Sequence, residues 1–230
     1  MIGIIGAMEE EVAMLTARME GVKVTTRASM HFHAGKLNGK DAVIVRSGIG
    51  KVNAAICTQI LADLFHVDLV INTGIAGSLD AQIDIGDIVL SSDSLQHDMD
   101  ATAFGYEPGV IPRMETSVFP ADERLTALAK TACEKVNPEI HVFTGRVVSG
   151  DQFIADDGKK QYLLGQFHPM CTEMEGAAIA QAAYLNQIPY LIIRAISDKA
   201  DGSAHMDYPA FEAAAIDHTV KLVLELCTNL

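Results

Sequence analysis

Short apolar runs alternate with longer amphipathic stretches along this chain. Residues 1–7 (MIGIIGA) form a continuous apolar run that is too short for a helix and typical of a buried strand. Residues 9–19 then place Val12, Leu15 and Met19 at helical spacing, so a strand leads directly into a helix. A buried strand followed by an amphipathic helix is the unit from which α/β domains are built.

The alternation continues along the rest of the sequence. The pattern predicts further strands at residues 31–37, 41–46, 68–73, 87–91, 142–148 and 190–197. It predicts helices at residues 52–65, 121–136, 175–184 and 211–226. Asn38 and Gly39 separate two of the strands and tolerate positive φ, which indicates a hairpin. We therefore expect an α/β fold in one domain, residues 1–230, with a central mixed sheet covered by helices on both faces.

Composition and charge narrow the class of protein. With 49 % apolar and 20 % charged residues, the 230-residue chain can form one sizeable core, which excludes a disordered protein. A net charge of −13 argues against nucleic acid as a partner. We expect no membrane span, because no apolar run reaches roughly 18 residues, and no signal peptide, because no basic residue precedes Arg18. Four scattered cysteines without C-x-x-C spacing predict a reducing cytoplasm.

The common nucleotide and metal motifs are incomplete in this sequence. Residues 48–51 (GIGK) contain two glycines of a dinucleotide-binding motif, but Asn53 stands where the third is required. Val45 occupies the position of the first glycine of a P-loop. His97 with nearby acids is more typical of a hydrogen-bonded loop than of a metal site. We therefore expect neither a metal nor a nucleotide cofactor.

Acidic residues follow several of the predicted strands. Glu11 lies in the first turn of a helix, where the helix dipole alone would favour it, but its spacing also allows it to point inward. Glu175 either caps the helix that follows it or faces a polar ligand. Arg194 lies within a buried strand and needs a carboxylate partner, either in a structural ion pair or in a site. Because ligands of α/β sheets bind beyond the carboxyl ends of strands, Glu11, Glu175 and Asp198 together suggest acid–base chemistry on an uncharged or cationic substrate.

Six blocks of sequence carry a family resemblance. They are residues 4–11 (IIGAMEEE), 47–51 (SGIGK), 72–77 (NTGIAG), 149–153 (SGDQF), 173–175 (EME) and 194–198 (RAISD). In this order, over essentially the whole chain, they resemble the bacterial 5′-methylthioadenosine/S-adenosylhomocysteine nucleosidases. The resemblance implies a nucleoside-phosphorylase-like three-layer α/β/α domain, usually a homodimer. It also implies hydrolysis of the N-glycosidic bond of methylthioadenosine, S-adenosylhomocysteine and 5′-deoxyadenosine, with release of adenine and no cofactor.

The resemblance assigns roles to residues in the matching blocks. Glu11 matches the general base that activates water, and Asp198 matches the acid that protonates adenine at N-7. Ser197 matches the residue that orients this acid. Glu175 matches the carboxylate that holds the ribose diol, with the backbone of Met174 beside it.

Further residues are assigned to substrate binding by the same resemblance. Phe153 matches the aromatic ring stacked on adenine, and the backbone of Ile154 matches the group that reads its Watson–Crick edge. Two more residues of the matching blocks are assigned to the site, Gly77 and Arg194. The expected apolar wall for the 5′-thio substituent consists of Met8, Ile49 and Phe211. The expected contribution of a partner subunit consists of Phe104, Tyr106 and Pro112.

Two departures from the family pattern and three alternative functions accompany this interpretation. Ile75 stands where many members carry a small polar residue, and Ala101 stands where a larger aliphatic residue is common, so the preferred 5′ substituent stays open. The alternatives are a futalosine-type nucleosidase, a purine nucleoside phosphorylase and a non-catalytic nucleoside-binding module. The loop after the first strand lacks the basic residue with which phosphorylases hold phosphate, which favours water as the nucleophile.

Residues 95–120 form a long irregular stretch that is typical of a functional or interface element.

Overall fold

Strands and helices alternate as the sequence pattern predicts. The computed structural model describes residues 1–201 and 204–230, with residues 204–210 as backbone only. The strands are β1 (Ile2–Gly6), β2 (Glu20–Arg27), β3 (Met30–Leu37), β4 (Lys40–Arg46), β5 (Leu69–Ser78), β6 (Ile88–Gln96), β7 (Phe119–Pro120), β8 (Val142–Ser149), β9 (Cys171–Glu173) and β10 (Tyr190–Asp198). The helices are α1 (Glu9–Thr16), α2 (Lys51–Phe65), α3 (Glu123–Val136), α4 (Asp157–Phe167), α5 (Gly176–Leu185) and α6 (Ala204–Asn229).

All strands belong to one mixed sheet. Parallel pairs join β1 to β4 and β5, β10 to β5, and β8 to β6 and β9. Antiparallel pairs join β3 to β2 and β4, β5 to β9, and β6 to β7 and β10. Because β10 pairs with both β5 and β6, the five strands β5, β10, β6, β8 and β9 close into a ring, and β1, β4, β3 and β2 extend from it as an open sheet.

Helices cover both faces of this sheet, as the sequence predicts. One buried cluster includes Leu15 of α1, Ala129 of α3 and Leu222 of α6. The other includes Leu61 of α2 and Ile179 of α5. The three-layer arrangement expected for a nucleoside-phosphorylase-like fold is therefore confirmed. No helix within the described residues is both long and apolar enough to cross a bilayer.

Most predicted elements lie within a few residues of the observed ones. The hairpin between β3 and β4 turns at Asn38 and Gly39, whose φ angles of 47° and 79° are both positive. Four elements were missed by the pattern: β2, α4, β9 and the two-residue strand β7. β2 is an edge strand with almost all of its side chains exposed, so it lacks apolar alternation. α4 buries only Leu163 and Phe167, and β9 has only three residues.

Three predicted boundaries were wrong by several residues. β6 was expected to end at residue 91 but continues to Gln96. β5 was expected to end at residue 73 but continues to Ser78, through a glycine-containing stretch that reads as a loop. Position 74 within this strand requires glycine, because a Cβ atom there would collide with the side chains of Glu11 and Arg194. α6 begins at Ala204, seven positions before the predicted start at residue 211. The extension of β5 carries residues 74–78 to the edge of the sheet at which the functional site lies.

Candidate active site

A cavity of about 390 Å³ lies at the carboxyl ends of the parallel strands. Its walls come from segments that end or follow β1, β4, β5, β8, β9 and β10. The lining residues are Ala7, Met8, Glu11, Ile49, Ile75, Ala76, Gly77, Phe153, Thr172, Glu173, Met174, Glu175, Ser197 and Asp198. Nine of the predicted site residues are therefore brought together in one place: Met8, Glu11, Ile49, Gly77, Phe153, Met174, Glu175, Ser197 and Asp198.

Glu11 points inward from the first turn of α1. Its Oε2 accepts hydrogen bonds from the backbone N–H groups of Ala7 (2.6 Å) and Met8 (3.0 Å), and its Oε1 accepts one from Ile75 (3.2 Å). Burial raises the pKa of this carboxyl, although the charge of Arg194 and the three N–H donors act in the opposite direction. A raised pKa makes Glu11 a stronger base than an ordinary carboxylate, which suits the removal of a proton from water.

Arg194 lies beneath the cavity rather than on its wall. The side chain is fully buried, and its Nη2 donates to the Glu173 carboxylate and to Oδ1 of Asn72 (2.5 Å). The same nitrogen lies 3.8 Å from Oε2 of Glu175. The carboxylate partner that a buried arginine requires is therefore Glu173, with Glu175 as a more distant second partner. From this position, Arg194 holds the carboxylates that line the cavity.

Glu173 also provides the cap for helix α5. Its carboxylate accepts hydrogen bonds from the backbone N–H groups of Gly176 (2.8 and 2.9 Å) and Glu175 (3.1 Å), and from the hydroxyl of Ser149. Oγ of Ser149 accepts in turn from the N–H of Ala177 (2.6 Å). The first amides of α5 are thus satisfied by Glu173 and Ser149. Glu175, although it is the N-cap residue, makes no capping bond with its side chain and faces the cavity.

Glu175 is a second buried acid of the cavity whose pKa is raised. Its Oε1 accepts a hydrogen bond from the N–H of Gly50 (2.8 Å). Burial and the neighbouring negative charge of Glu173 raise the pKa of Glu175 to about 7, although Arg194 acts in the opposite direction. Near neutral pH this carboxyl therefore exists in both protonation states, and it can accept or donate hydrogen bonds to a polar ligand.

Asp198 ends β10 and lines the same cavity. Its Oδ2 accepts a hydrogen bond from the Ser197 hydroxyl (2.9 Å), and its Oδ1 accepts one from the N–H of Ala200 (2.8 Å). Ser197 also lies 3.4 Å from the carbonyl of Ala76. A Cβ atom at Gly77 would approach Oδ1 of Asp198 to 2.8 Å, so glycine leaves room for this carboxylate. The Ser197 hydroxyl therefore contacts the carboxylate that it is assigned to orient by the resemblance.

The apolar part of the cavity lies at its mouth. Ile49 and Phe153 are about half exposed there, and Ile154 lines a small adjoining pocket of about 30 Å³ together with Phe153 and Asp198. Ile75, the first departure from the family pattern, lies on the wall of the main cavity. Ala101, the second, is buried away from it. A flat apolar ligand can therefore enter beside Phe153 with polar groups directed toward the carboxylates.

Besides Arg194 and Ile154, four predicted site residues do not line this cavity. Phe104 is 84 % exposed, Tyr106 is exposed and Pro112 is half-buried, all in the irregular segment around the short 3₁₀ turn Thr102–Phe104. Phe211, on α6, is 43 % exposed and lies outside the cavity that the described residues form. The first three were assigned to a partner subunit, so their position away from the cavity of their own chain agrees with that assignment without testing it.

Three residues that support the cavity wall were not predicted from the sequence. Glu173, Asn72 and Ser149 each lie within a block that carried the resemblance, but no role was assigned to them. Asn72 links Arg194 to the carbonyl of Ile5, to which its Nδ2 donates (3.0 Å). A polar residue inside a predicted buried strand was the available signal for Asn72, because such a group must find a hydrogen-bonding partner.

The charge of the cavity wall is negative. Four of its residues carry carboxyl groups, and no Lys, Arg or His is present among the described residues that line it. The part of the chain that the structure describes also contains no cluster of three His, Cys, Asp or Glu side chains arranged to hold a metal ion. Such a wall favours a neutral or cationic ligand, and its acids can exchange protons with that ligand.

Comparison with known proteins places this geometry in a family. Residues 1–228 match the family model described as the phosphorylase superfamily. The 5′-methylthioadenosine/S-adenosylhomocysteine nucleosidase of Staphylococcus saprophyticus is 47 % identical over 219 residues, which cover 94 % of each chain.

Solved structures agree with this similarity. The nucleosidase of the same name from Neisseria meningitidis, in complex with methylthio-immucillin-A, superposes with a TM-score of 0.95 at 38 % identity, covering 100 % of this chain and 99 % of that one. The nucleosidase from Colwellia psychrerythraea, in complex with adenine, gives 0.95 at 43 % identity, covering 100 % and 95 %. This chain belongs to the phosphorylase superfamily and, within it, to the family of 5′-methylthioadenosine/S-adenosylhomocysteine nucleosidases.

Proposed function

We propose that this protein hydrolyses the N-glycosidic bond of 5′-methylthioadenosine and S-adenosylhomocysteine, and also of 5′-deoxyadenosine. The products are adenine and the 5′-substituted ribose, so the reaction serves methionine salvage and the recycling of S-adenosylmethionine by-products. The observation that carries the proposal is the presence of Glu11, Glu175 and Asp198 on one cavity whose described lining residues include no cationic side chain.

The three carboxyl groups correspond to the three needs of the reaction. Breaking the bond between ribose and adenine develops positive charge on the ribose and negative charge on the purine. In the proposed mechanism Asp198 gives its proton to N-7 of the departing adenine. Glu11 takes a proton from the water that attacks C1′, so the proton lost by the water replaces the one given to adenine in the overall balance. Glu175 binds the ribose hydroxyls.

The remaining assignments place the substrate along the cavity. Phe153 stacks on adenine and the backbone of Ile154 meets its Watson–Crick edge. Met8 and Ile49 contact the 5′ substituent, together with Phe211. The backbone of Met174 lies beside the ribose. These assignments are supported by the resemblance and, for all of these residues except Phe211, by their arrangement around the cavity at the strand ends.

Charge favours water over phosphate as the nucleophile. Two unit negative charges about 4 Å apart repel by about 4 kcal/mol at an effective dielectric constant near 20. A phosphate that occupied the position of the attacking water would meet the buried Glu11 carboxylate, and Arg194 is already bound to Glu173. The proposal therefore excludes a purine nucleoside phosphorylase as the activity of this site.

The test is adenine release from methylthioadenosine in phosphate-free buffer. We expect free methylthioribose as the second product and a rate that added phosphate does not raise. Detection of methylthioribose-1-phosphate would reject the hydrolase. Binding without turnover would favour the non-catalytic nucleoside-binding module, and a higher kcat/KM for futalosine would favour the futalosine-type nucleosidase.

We further propose that the protein is a homodimer of single-domain subunits in the cytoplasm. Exposed apolar side chains lie on the first turns of α2, at Val52 (69 % exposed) and Ile56 (42 % exposed), and in the segment that carries Phe104; the Lys51–Asp98 ion pair joins these two segments. Such a patch supports an interface between two copies in which Phe104, Tyr106 and Pro112 of one subunit complete the site of the other. Four free, buried cysteines support a reducing compartment.

A further inference from the structure

Three residues outside the cavity form a closed ring of hydrogen bonds. The backbone N–H of Lys51 donates to Oδ1 of Asp151 (2.8 Å), and the backbone N–H of Asp151 donates to Oδ2 of Asp98 (3.0 Å). The Lys51 ammonium closes the circuit by donating to Oδ1 of Asp98 (2.6 Å). We call this arrangement the Lys51 ring. It joins three segments that are distant in sequence and that follow β4, β6 and β8.

The ion pair of the ring is largely withdrawn from water, whereas Asp151 is exposed. The side chains of Lys51 and Asp98 are 17 % and 15 % exposed, and the ammonium also donates to Oε1 of Gln96 (2.9 Å). Burial disfavours the charge of Asp98, but the Lys51 ammonium and the Asp151 N–H outweigh this effect and lower the pKa of Asp98. The ion pair therefore persists across the neutral pH range.

The position of Lys51 is unfavourable for its own helix. It is the first residue of α2, where the helix dipole favours negative groups, so a cation there weakens the helix terminus. Desolvation of a lysine adds a further cost. Lys51 therefore weakens its own helix while it binds two other segments of the chain. The residues that those segments carry give a better reason for a lysine at this position.

Each joined segment carries a residue of the proposed site. The N–H of Gly50, directly before Lys51, donates to Oε1 of Glu175, so adjacent amides of one turn hold Glu175 and Asp151. Asp151 begins the segment that leads to Phe153. A Cβ atom at Gly50 would lie 3.1 Å from Oδ1 of Asp151, and the φ angle of Gly50 is 97°, so this close approach depends on glycine.

We infer that Lys51 is a positioning residue that holds the ribose-binding carboxylate Glu175 and the adenine-stacking segment of Phe153 in register with each other. The inference rests on the proposed function, because it concerns the substrate of that same site. Phe153 lies two residues after Asp151, so the backbone that Asp151 fixes also carries the phenyl side chain of Phe153. The third arm, Asp98, starts the segment that leads to Phe104, and the ring thereby also ties the proposed interface element to the site.

The test replaces Lys51 and compares it with a matched ion pair. Lys51→Met keeps the aliphatic stem and removes the ammonium. Arg146→Met is the control, because Arg146 pairs with Asp93 at 2.6 Å between β6 and β8, with side chains 29 % and 22 % exposed, and neither lines the cavity. We expect Lys51→Met to raise both the KM for methylthioadenosine and the Kd for adenine by about 10- to 100-fold, with a smaller fall in kcat, because small misplacements of binding groups have effects of this size. Arg146→Met should change neither constant by more than about twofold.

A second pair of variants tests the hydrogen bond from the backbone N–H of Lys51 to Asp151 and leaves the charge of Lys51 in place. Asp151→Ala removes the acceptor for the Lys51 N–H, whereas Asp151→Asn keeps an oxygen in that place. We expect the asparagine variant to retain most of the adenine affinity that the alanine variant loses. Amide hydrogen exchange in residues 149–155 should be faster in Lys51→Met and Asp151→Ala than in the wild-type protein and in Arg146→Met.

The outcomes separate this inference from the proposed function. If the wild-type protein releases adenine but Lys51→Met and Arg146→Met behave alike, or Asp151→Asn and Asp151→Ala lose equal affinity, the positioning role is wrong and the function stands. If the wild-type protein releases no adenine, the proposed function is wrong. In that case amide hydrogen exchange of residues 149–155 in Lys51→Met still tests the Lys51 ring. Unchanged exchange overturns its positioning role, and faster exchange supports that role.

Discussion

Replacing Glu175 by glutamine should make the ligand-free protein more stable above neutral pH. A carboxyl whose pKa is raised by folding binds a proton more tightly in the folded state than in the unfolded state. Its contribution to stability is therefore complete below its ordinary value of 4.5 and is lost as the pH rises through about 7. Glutamine has no such pH dependence, and its side-chain oxygen can still accept the hydrogen bond from Gly50.

The magnitude follows from the two pKa values. Each unit of difference between the folded and unfolded pKa corresponds to 1.36 kcal/mol, so ionising Glu175 in its buried position costs roughly 3 kcal/mol. The free energy of unfolding of Glu175→Gln, relative to wild type, should grow by about 2–3 kcal/mol between pH 5 and pH 8.5. At about 2–4 °C per kcal/mol for a chain of this size, the change in relative Tm is about 5–10 °C.

Urea and thermal denaturation at both pH values, at constant ionic strength, measure this difference. Glu134→Gln on α3 removes the same charge from an exposed position and serves as the control, with a relative stability that should stay constant. If the advantage of Glu175→Gln did not grow with pH, or if wild type gained on the variant, the view of Glu175 as a carboxyl kept protonated by burial and by Glu173 would be refuted.

Other substitutions test separate parts of the site. Asp198→Asn should lower kcat by about 10²- to 10⁴-fold with little change in the Kd for adenine, and near-wild-type turnover would disprove its role as the acid. Glu11→Gln should also lower kcat in single-turnover measurements while adenine still binds; a selective loss of adenine affinity would contradict its role as the base. Phe104→Ala should raise KM more for methylthioadenosine than for adenosine, whereas equal losses together with a monomer by light scattering would reject a site completed across a dimer. Arg194→Met should lower the urea-measured free energy of unfolding by about 3–5 kcal/mol, because Glu173 would stay buried without its cation; a loss below about 1 kcal/mol would contradict this pairing.

The sequence predicted the fold where apolar periodicity was strong. The strands around residues 2–6 and 190–198 are continuous apolar runs, and both were located to within a residue or two. Periodicity failed where burial is one-sided or very short, as in the exposed edge strand β2 and the three-residue strand β9. The closure of five strands into a ring could not be inferred, because it depends on β10 pairing with two partners at once.

The site was predictable from resemblance more than from pattern. Glu11, Glu175 and Asp198 could be placed near one another because each follows a strand, but their separate environments depend on contacts that spacing does not encode. The sequence identified Arg194 as a buried charge in need of a partner, yet only the structure shows that Glu173 binds it directly, whereas Glu175 lies 3.8 Å away and accepts a hydrogen bond from Gly50. The turn into α5 places the carboxylates of Glu173 and Glu175, two residues apart, in these different environments.

The closed ring of strands also determines when the site can exist during biosynthesis. β5 is among the earlier elements to be synthesised, but its neighbour in the ring, β10, follows it by more than a hundred residues. A growing chain therefore has neither the Asp198 carboxylate nor a closed rim until nearly all of it has been made. Pairing between such distant segments is slow, because the entropy of closing the intervening chain is lost before any contact is gained. Adenine binding should thus appear only in the last step of assembly, and chains terminated before β10 should be unable to bind adenine.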